Sequence, residues 1–243
     1  MLGIRVSSTK RTQEEAEKPF WISYSDLMTA LMVLFLVAVS VALFSITQKV
    51  ISGPDKHGKM VEACMAEVSE MTRKDFPGIQ VQGHAISFGS LALFGTNKHK
   101  LDSMAEKTLR SYVPRVLELA RANKCGEVFK RVIVEGFASQ SGTYIHNLNL
   151  SLQRAERVLC VLLDPGAKDA LPEKDRRDVR NLFLVGGSSF NALKAGDAES
   201  QRIELKLEFL AFGEKRQSPR EAPLDATLQC PLDKTAPIIS SSL

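Results

Sequence analysis

Between Leu27 and Ile46 the chain runs for twenty residues without a charge, a glycine or a proline, and only Thr29, Ser40 and Ser45 are polar. Twenty helical residues rise about 30 Å, the thickness of a bilayer's hydrocarbon core. The run therefore predicts one membrane-spanning helix, which with its flanks occupies residues 19–49. The alternative is a cleaved secretory signal, whose apolar stretch is about 7–15 residues long and ends at a small-residue cleavage site. Here the run is longer, and the "FSITQKVISG" that follows offers no such site. Phe20, Trp21 and Tyr24 stand where an interfacial aromatic belt would stand. Basic residues say little about orientation: Arg5, Lys10, Arg11 and Lys18 precede the run, and Lys49, Lys56 and Lys59 follow it.

A quarter of the 243 residues are charged and the net charge is +4, spread along the chain, so no nucleic-acid partner is implied. Residues 1–18 form a polar tail. Residues 50–78 read as a linker: a loop at "SGPDKHG", residues 52–58, then a short helix over 59–74 ended by "FPG". From residue 79 the pattern is βαβαββ, an α/β domain reaching residue 212. Strand-like stretches lie within 84–94, an amphipathic helix at Leu101–Ala122 with Pro114 inside, and a buried strand at 131–137. A second helix follows at Leu148–Leu163, then strands at 181–187 and 202–210. Residues 213–243 are rich in Pro, Ser and charge, the composition of a loosely ordered tail.

Asp26 stands at the mouth of the apolar run, and two readings compete for it. Ser23-x-x-Asp26 fits a capping box at a helix start. Against this, at 100° per residue Asp26, Thr29, Ser40 and Thr47 share a stripe about 60° wide, as on a helix whose polar edge faces other protein. Ser and Thr also bond back to their own helix, which is the plain alternative for that stripe.

On the helix after residue 143, Leu152, Ala155, Leu159, Leu162 and Leu163 share one face, and Arg154 points roughly opposite, toward solvent or a ligand. Glu135, Gly136, Gly142, Asn147, Leu150, Ser151, Arg154 and Ala155 recur in an order that resembles the OmpA-like peptidoglycan-binding domain. Gln201, Arg202, Ile203 and Glu204 resemble that family's closing motif in part. The resemblance covers about residues 80–212. It implies that Arg154 clamps a carboxylate of the peptidoglycan stem peptide, with Asn147, Leu150, His146 and Arg202 also at the site. The family's loop Asp, fifteen residues before the Arg, is Ser139 here, which can only hydrogen-bond, so weaker binding is expected. Peptidoglycan lies outside the bacterial inner membrane, so the resemblance also implies a periplasmic domain and a cytoplasmic N-terminus.

The stretch "ISYSDLMTALM" resembles the membrane segment of MotB-type stator subunits, with the shared order I-x-Y-x-D-x-M-T-A-x-M. That resemblance makes Asp26 the ion-carrying carboxylate, with Tyr24, Thr29 and Ser40 on the ion path or helix interface. A carboxylate just inside the hydrocarbon boundary carries a desolvation cost, which suits a group that cycles between protonated and ionised forms. The whole architecture is similar to the ZorB family, subunits of the Zorya anti-phage system. Only about 30 residues separate the run from the domain, the N-terminal tail is short and poor in Lys, and four cysteines lie past the run. The family implies a homodimer inside a pentamer of ZorA-like, MotA-related partners, anchored on peptidoglycan and driven by H⁺ rather than Na⁺. A flagellar MotB-type subunit and a passive OmpA-like envelope tether are the alternatives. No hydrolytic triad, metal cluster or phosphate-binding Gly loop is visible, and Gly186-Gly187 reads as a strand-end turn. The expectation is a protein that is not an enzyme and holds no cofactor.

In an oxidising compartment Cys64, Cys125, Cys160 and Cys230 are disulfide candidates. Four cysteines allow three pairings. The βαβαββ layout places Cys64, Cys125 and Cys160 at one end of the sheet, and the preferred pairing is Cys64–Cys125 with Cys160–Cys230. Four buried thiols are the alternative.

Overall fold

The computed structural model describes residues 18–216 and 230–233. The expected N-terminal tail, residues 1–17, and residues 217–229 and 234–243 of the C-terminal tail lie outside the described residues. The chain divides into two compact units, Met1–Asp55 and Lys56–Leu243.

Helix α1 (Lys18–Asp75) carries the apolar run. Residues Tyr24–Thr47 are long and apolar enough to cross a membrane, with a mean hydropathy of 2.7. The expected loop at 52–58 is helical instead. Pro54 lies inside α1, and Pro54, Asp55, Lys56 and Gly58 are exposed. A proline costs the ladder one N–H but has a helical φ, so a solvated stretch can carry it. The short helix expected over 59–74 is the end of the same element, closed by Arg73 and Lys74, whose charge suits the negative end of the helix dipole.

In the second unit a five-stranded sheet has the order β1-β2-β5-β3-β4. Its strands are β1 (Gln80–Gln82), β2 (Ala85–Ser87), β3 (Phe129–Gly136), β4 (Phe183–Gly187) and β5 (Ile203–Phe209). β3 and β4 are parallel, and the other pairs are antiparallel. The mixed α/β class holds, but the first strand expected within 84–94 is a short hairpin followed by a 3₁₀ turn at Gly89–Ala92. Gly186 and Gly187 are the last residues of β4, not a turn after it.

Helix α2 (Ser103–Arg121) starts where the Asp102 carboxylate accepts the Ala105 N–H at 2.7 Å. It runs through Pro114 and buries Leu109, Tyr112, Val113, Val116 and Leu117. Helix α3 (Asn123–Val128) and helix α5 (Glu173–Leu182) were not expected. Only Asp175 and Val179 of α5 are buried, too few to give a helical period. Arg121 pairs with both Asp175 and Asp178 and ties α5 to α2. Helix α4 (Tyr144–Leu163) links β3 to α5, and a short α6 (Asp197–Ser200) precedes β5. The core lies between the helices and one sheet face, with Val132, Val134, Leu205 and Leu207 against Leu109, Val113, Val158 and Leu162. Residues 56–75 join this packing through Val68, Met71 and Thr72, whose hydroxyl meets the Tyr112 hydroxyl at 2.8 Å. His57 Nε2 is 2.8 Å from the Leu210 carbonyl.

Two disulfides are present. Cys64 bonds Cys125, and Cys160 bonds Cys230, with Cα–Cα distances of 5.1 and 5.4 Å.

Candidate functional site

In the apolar helix, Asp26 lies well past the first turn of α1, so it does not cap that helix. No other charged side chain occurs between Tyr24 and Thr47. Asp26, Thr29 and Ser40 are all exposed, and Tyr24 is 47% exposed. The hydroxyls of Thr29 and Thr47 donate to the backbone carbonyls of Asp26 and Leu43, at 2.9 and 2.8 Å. That local bonding satisfies both hydroxyls and leaves Asp26 as the stripe's one charged group. The apolar side chains around it are open: Leu34, Phe35 and Phe44 are 66%, 68% and 67% exposed.

In the second unit the geometry centres on Arg154, and here the sequence reading needs correction. Arg154 does not point outward: it is 0% exposed. The buried stripe of α4 runs through Asn147, Ser151, Arg154, Ala155, Val158 and Leu162, whereas Leu152 is 42% exposed. Polar residues in the first half of the stripe hid its true phase. Arg154 Nε donates to the Lys98 carbonyl at 3.0 Å, and Nη1 donates to the Phe137 carbonyl at 2.7 Å. Nη2 donates to the Gly95 carbonyl and to Gln201 Oε1, both at 3.1 Å. The guanidinium carbon lies 5.0 Å from the centre of the Phe94 ring. No carboxylate pairs with it among the described residues, and burial pushes the guanidinium down to about 10.

The close approach that makes this site possible comes from two glycines. A Cβ on Gly136 would fall 1.9 Å from the Ser151 carbonyl oxygen, and one on Gly187 would fall 2.7 Å from Ser151 Oγ. Without side chains there, α4 lies directly on the ends of β3 and β4 and carries Arg154 to the loops beyond them. Ser139 and Asn147 belong to the same cluster. Gln201 Nε2 donates to Ser139 Oγ at 3.4 Å, and Asn147 Nδ2 donates to the Ser141 carbonyl at 2.8 Å. His146 sits exposed on the rim, with Nε2 2.8 Å from Asn97 Oδ1. Leu150 is buried in α4 rather than on the rim. Arg202 is also buried, pairs with Glu204 at 2.8 Å, and stacks 4.0 Å from the Phe137 ring centre. It meets Arg154 only through Phe137.

The sequence reading missed the turn Gly95–Lys98, which supplies two of Arg154's acceptors, and the pair Arg157–Asp233. The first left a signal in the turn-forming "GTNK", the second in the spacing Cys230-x-x-Asp233 beside Arg157-x-x-Cys160. Among the described residues no group of three or more His, Cys, Asp or Glu could hold a metal ion.

Residues 6–49 match the family described as "Membrane MotB of proton-channel complex MotA/MotB". Among solved structures, a putative MotB-like protein from Desulfovibrio vulgaris is 17% identical, over 63% of this chain and 94% of its own, with a TM-score of 0.41. The periplasmic domain of Helicobacter pylori MotB is 12% identical, over 54% of this chain and 80% of its own, with a TM-score of 0.39. These likenesses are too loose to carry an argument. The Zorya protein ZorB of Escherichia coli is different in kind: it is 39% identical over 229 residues, 91% of this chain and 93% of its own length. With that identity across nearly the whole of both proteins, the chain belongs to the ZorB family, as a MotB-like stator or anchor subunit.

Proposed function

We propose that this chain is the peptidoglycan-anchored subunit of an ion-driven membrane motor that acts in anti-phage defence. The observation that carries the reading is Asp26: one carboxylate in a 24-residue apolar helix, in a chain of the ZorB family. The open apolar side chains around it need lipid or partner helices as cover. A MotA-related, ZorA-like protein completes the ion path, in a pentamer around two copies of this chain. Asp26 takes up H⁺ on one side and releases it on the other. Each proton that crosses yields about 2.3 kcal/mol per 100 mV. The N-terminus is cytoplasmic and the second unit periplasmic, in keeping with two disulfides, which persist in oxidising compartments. The anchor is the polar cluster at the sheet's end. His146 meets ligand at the rim, Ser139 and Asn147 line the approach, and Arg154 supplies the cation for a stem-peptide carboxylate.

The test replaces Asp26 with Asn, which keeps size and hydrogen bonding but does not titrate. Expected are normal membrane insertion, loss of protection against phage, and loss of proton flux when the partner is co-expressed. An inserted Asp26→Asn protein that protects as well as the parent sinks the ion-carrier role and leaves a passive tether. Anchoring is tested by pulldown of the detergent-solubilised chain on purified sacculi. Retention is expected, and a parent protein that stays in solution refutes the anchor.

A further inference from the structure

Residues 230–233 meet α4 at two points one helical turn apart. Cys230 is bonded to Cys160. Asp233 accepts from Arg157 Nη1 at 3.1 Å and from Nη2 at 2.7 Å. The spacings match: Arg157 and Cys160 lie three residues apart on α4, and so do Cys230 and Asp233, which flank or end the 3₁₀ turn Pro231–Asp233. Arg157 is 7% exposed, so the bidentate pair serves a shielded cation, and it holds the Asp233 carboxyl below its ordinary value.

This short segment also lies against His99. The Leu232 backbone and the Asp233 carboxylate both act on the His99 ring, favouring its charged form. His99 directly follows Lys98, whose carbonyl accepts from Arg154 Nε and whose N–H closes the turn onto the Gly95 carbonyl at 3.0 Å. The contacts thus run in series from Asp233 to His99, to the turn, to Arg154. With the turn in place Arg154 is wholly covered, and no ligand reaches the guanidinium until the turn lifts.

We infer that residues 230–233 are a redox-sensitive latch that holds the Gly95–Lys98 turn closed over Arg154, and that opening the Cys160–Cys230 bond exposes the guanidinium to a peptide carboxylate. The inference rests on the reading of Arg154 as the anchoring cation. The opening step is thiol–disulfide exchange with a dithiol. One thiolate of the dithiol attacks Cys230 Sγ, and Cys160 leaves as a thiolate. The second thiol of the dithiol then displaces Cys230. The dithiol ends as a disulfide, and both cysteines end as thiols after taking up its two protons and two electrons. With the bond intact, Asp233 has no freedom to leave Arg157. Without it, the ion pair must hold the segment alone.

The experiment compares the full chain in detergent with a Cys160→Ser/Cys230→Ser double variant and with Asp233→Asn. Amide hydrogen exchange follows residues 95–100, and sacculus pulldown is run on the same samples. Both variants should exchange at the Lys98 amide about tenfold faster or more, with β3 and β5 still protected, and should bind sacculi more tightly. Unchanged exchange at the turn overturns the latch and leaves the Arg154 reading untouched. Loss of protection in β3 and β5 as well makes the segment a structural support and also overturns the latch. A loosened turn with unchanged sacculus binding removes Arg154 from the anchoring site, and the gating function falls with it.

Discussion

Single residues here do more structural work than their types suggest. Gly136 is one: its missing Cβ is what lets the Ser151 carbonyl come close. Gly136→Ala should push α4 off the sheet and cost at the upper end of about 1–3 kcal/mol, read as a lowered urea midpoint. Arg154 is another. Arg154→Ala strips donors from three carbonyls and from Gln201. At about 1–3 kcal/mol for each buried acceptor left bare, the variant should be strongly destabilised. Circular dichroism in urea checks this, and a parent-like midpoint contradicts it. Loss of sacculus binding in that variant therefore reads folding before it reads recognition. His99 adds a pH dependence. Burial and then Arg157 and Lys100 hold its ring below the ordinary 6.5. Below pH 6.5 the unfolded chain takes up a proton that the folded chain resists, so stability falls as pH drops through that value. Asp233, held below its ordinary 3.8, acts in the same sense at lower pH: its contribution is present above 3.8 and lost as pH falls through its folded value. Urea midpoints measured from pH 7.5 downward should decline, and His99→Gln should flatten the first part of the curve.

Among the elements, the end of α1 is the one whose role changes most. The sequence presents residues 50–78 as a linker, but from Lys56 onward they belong to the second compact unit. Cys64, Val68 and Thr72 are each 1% exposed. A fragment beginning at residue 79 loses that packing and the Cys64–Cys125 bond. It should express poorly or unfold at lower urea than one beginning at residue 56, and equal midpoints contradict the assignment. The two disulfides close separations of 61 and 70 residues, worth about 4 kcal/mol each in the chain-entropy account. Denatured, unreduced protein should show no reactive thiol, and four after reduction. Four before reduction contradicts both bonds.

For the whole molecule, the open apolar surface of residues 24–47 has a direct consequence. The chain should stay with membranes through an alkaline carbonate wash and be released by detergent. Release by carbonate alone contradicts the anchor. The Asp26→Asn protein should behave as the parent does in this assay, because Asp26 is exposed on α1 and supports no contact of the fold.

Local pattern carried a good part of this. The length of the apolar run, the place of Asp26 in it, the alternation of β5 and the motif along β3 and α4 are properties of neighbours in sequence, where periodicity and hydrophobic length act directly. Helix α5 escaped because two buried residues make no period. The phase of α4 was misjudged because Asn147, Ser151 and Arg154 occupy its buried stripe, and only a sheet opened by Gly136 and Gly187 can accept polar groups there. What the tertiary structure alone decided is where Arg154 and Arg157 find their partners. Their acceptors lie as far as 59 and 76 residues away along the chain. Such pairs form only when the strands and helices close the intervening loops, and no local pattern fixes which distant carbonyl or carboxylate arrives.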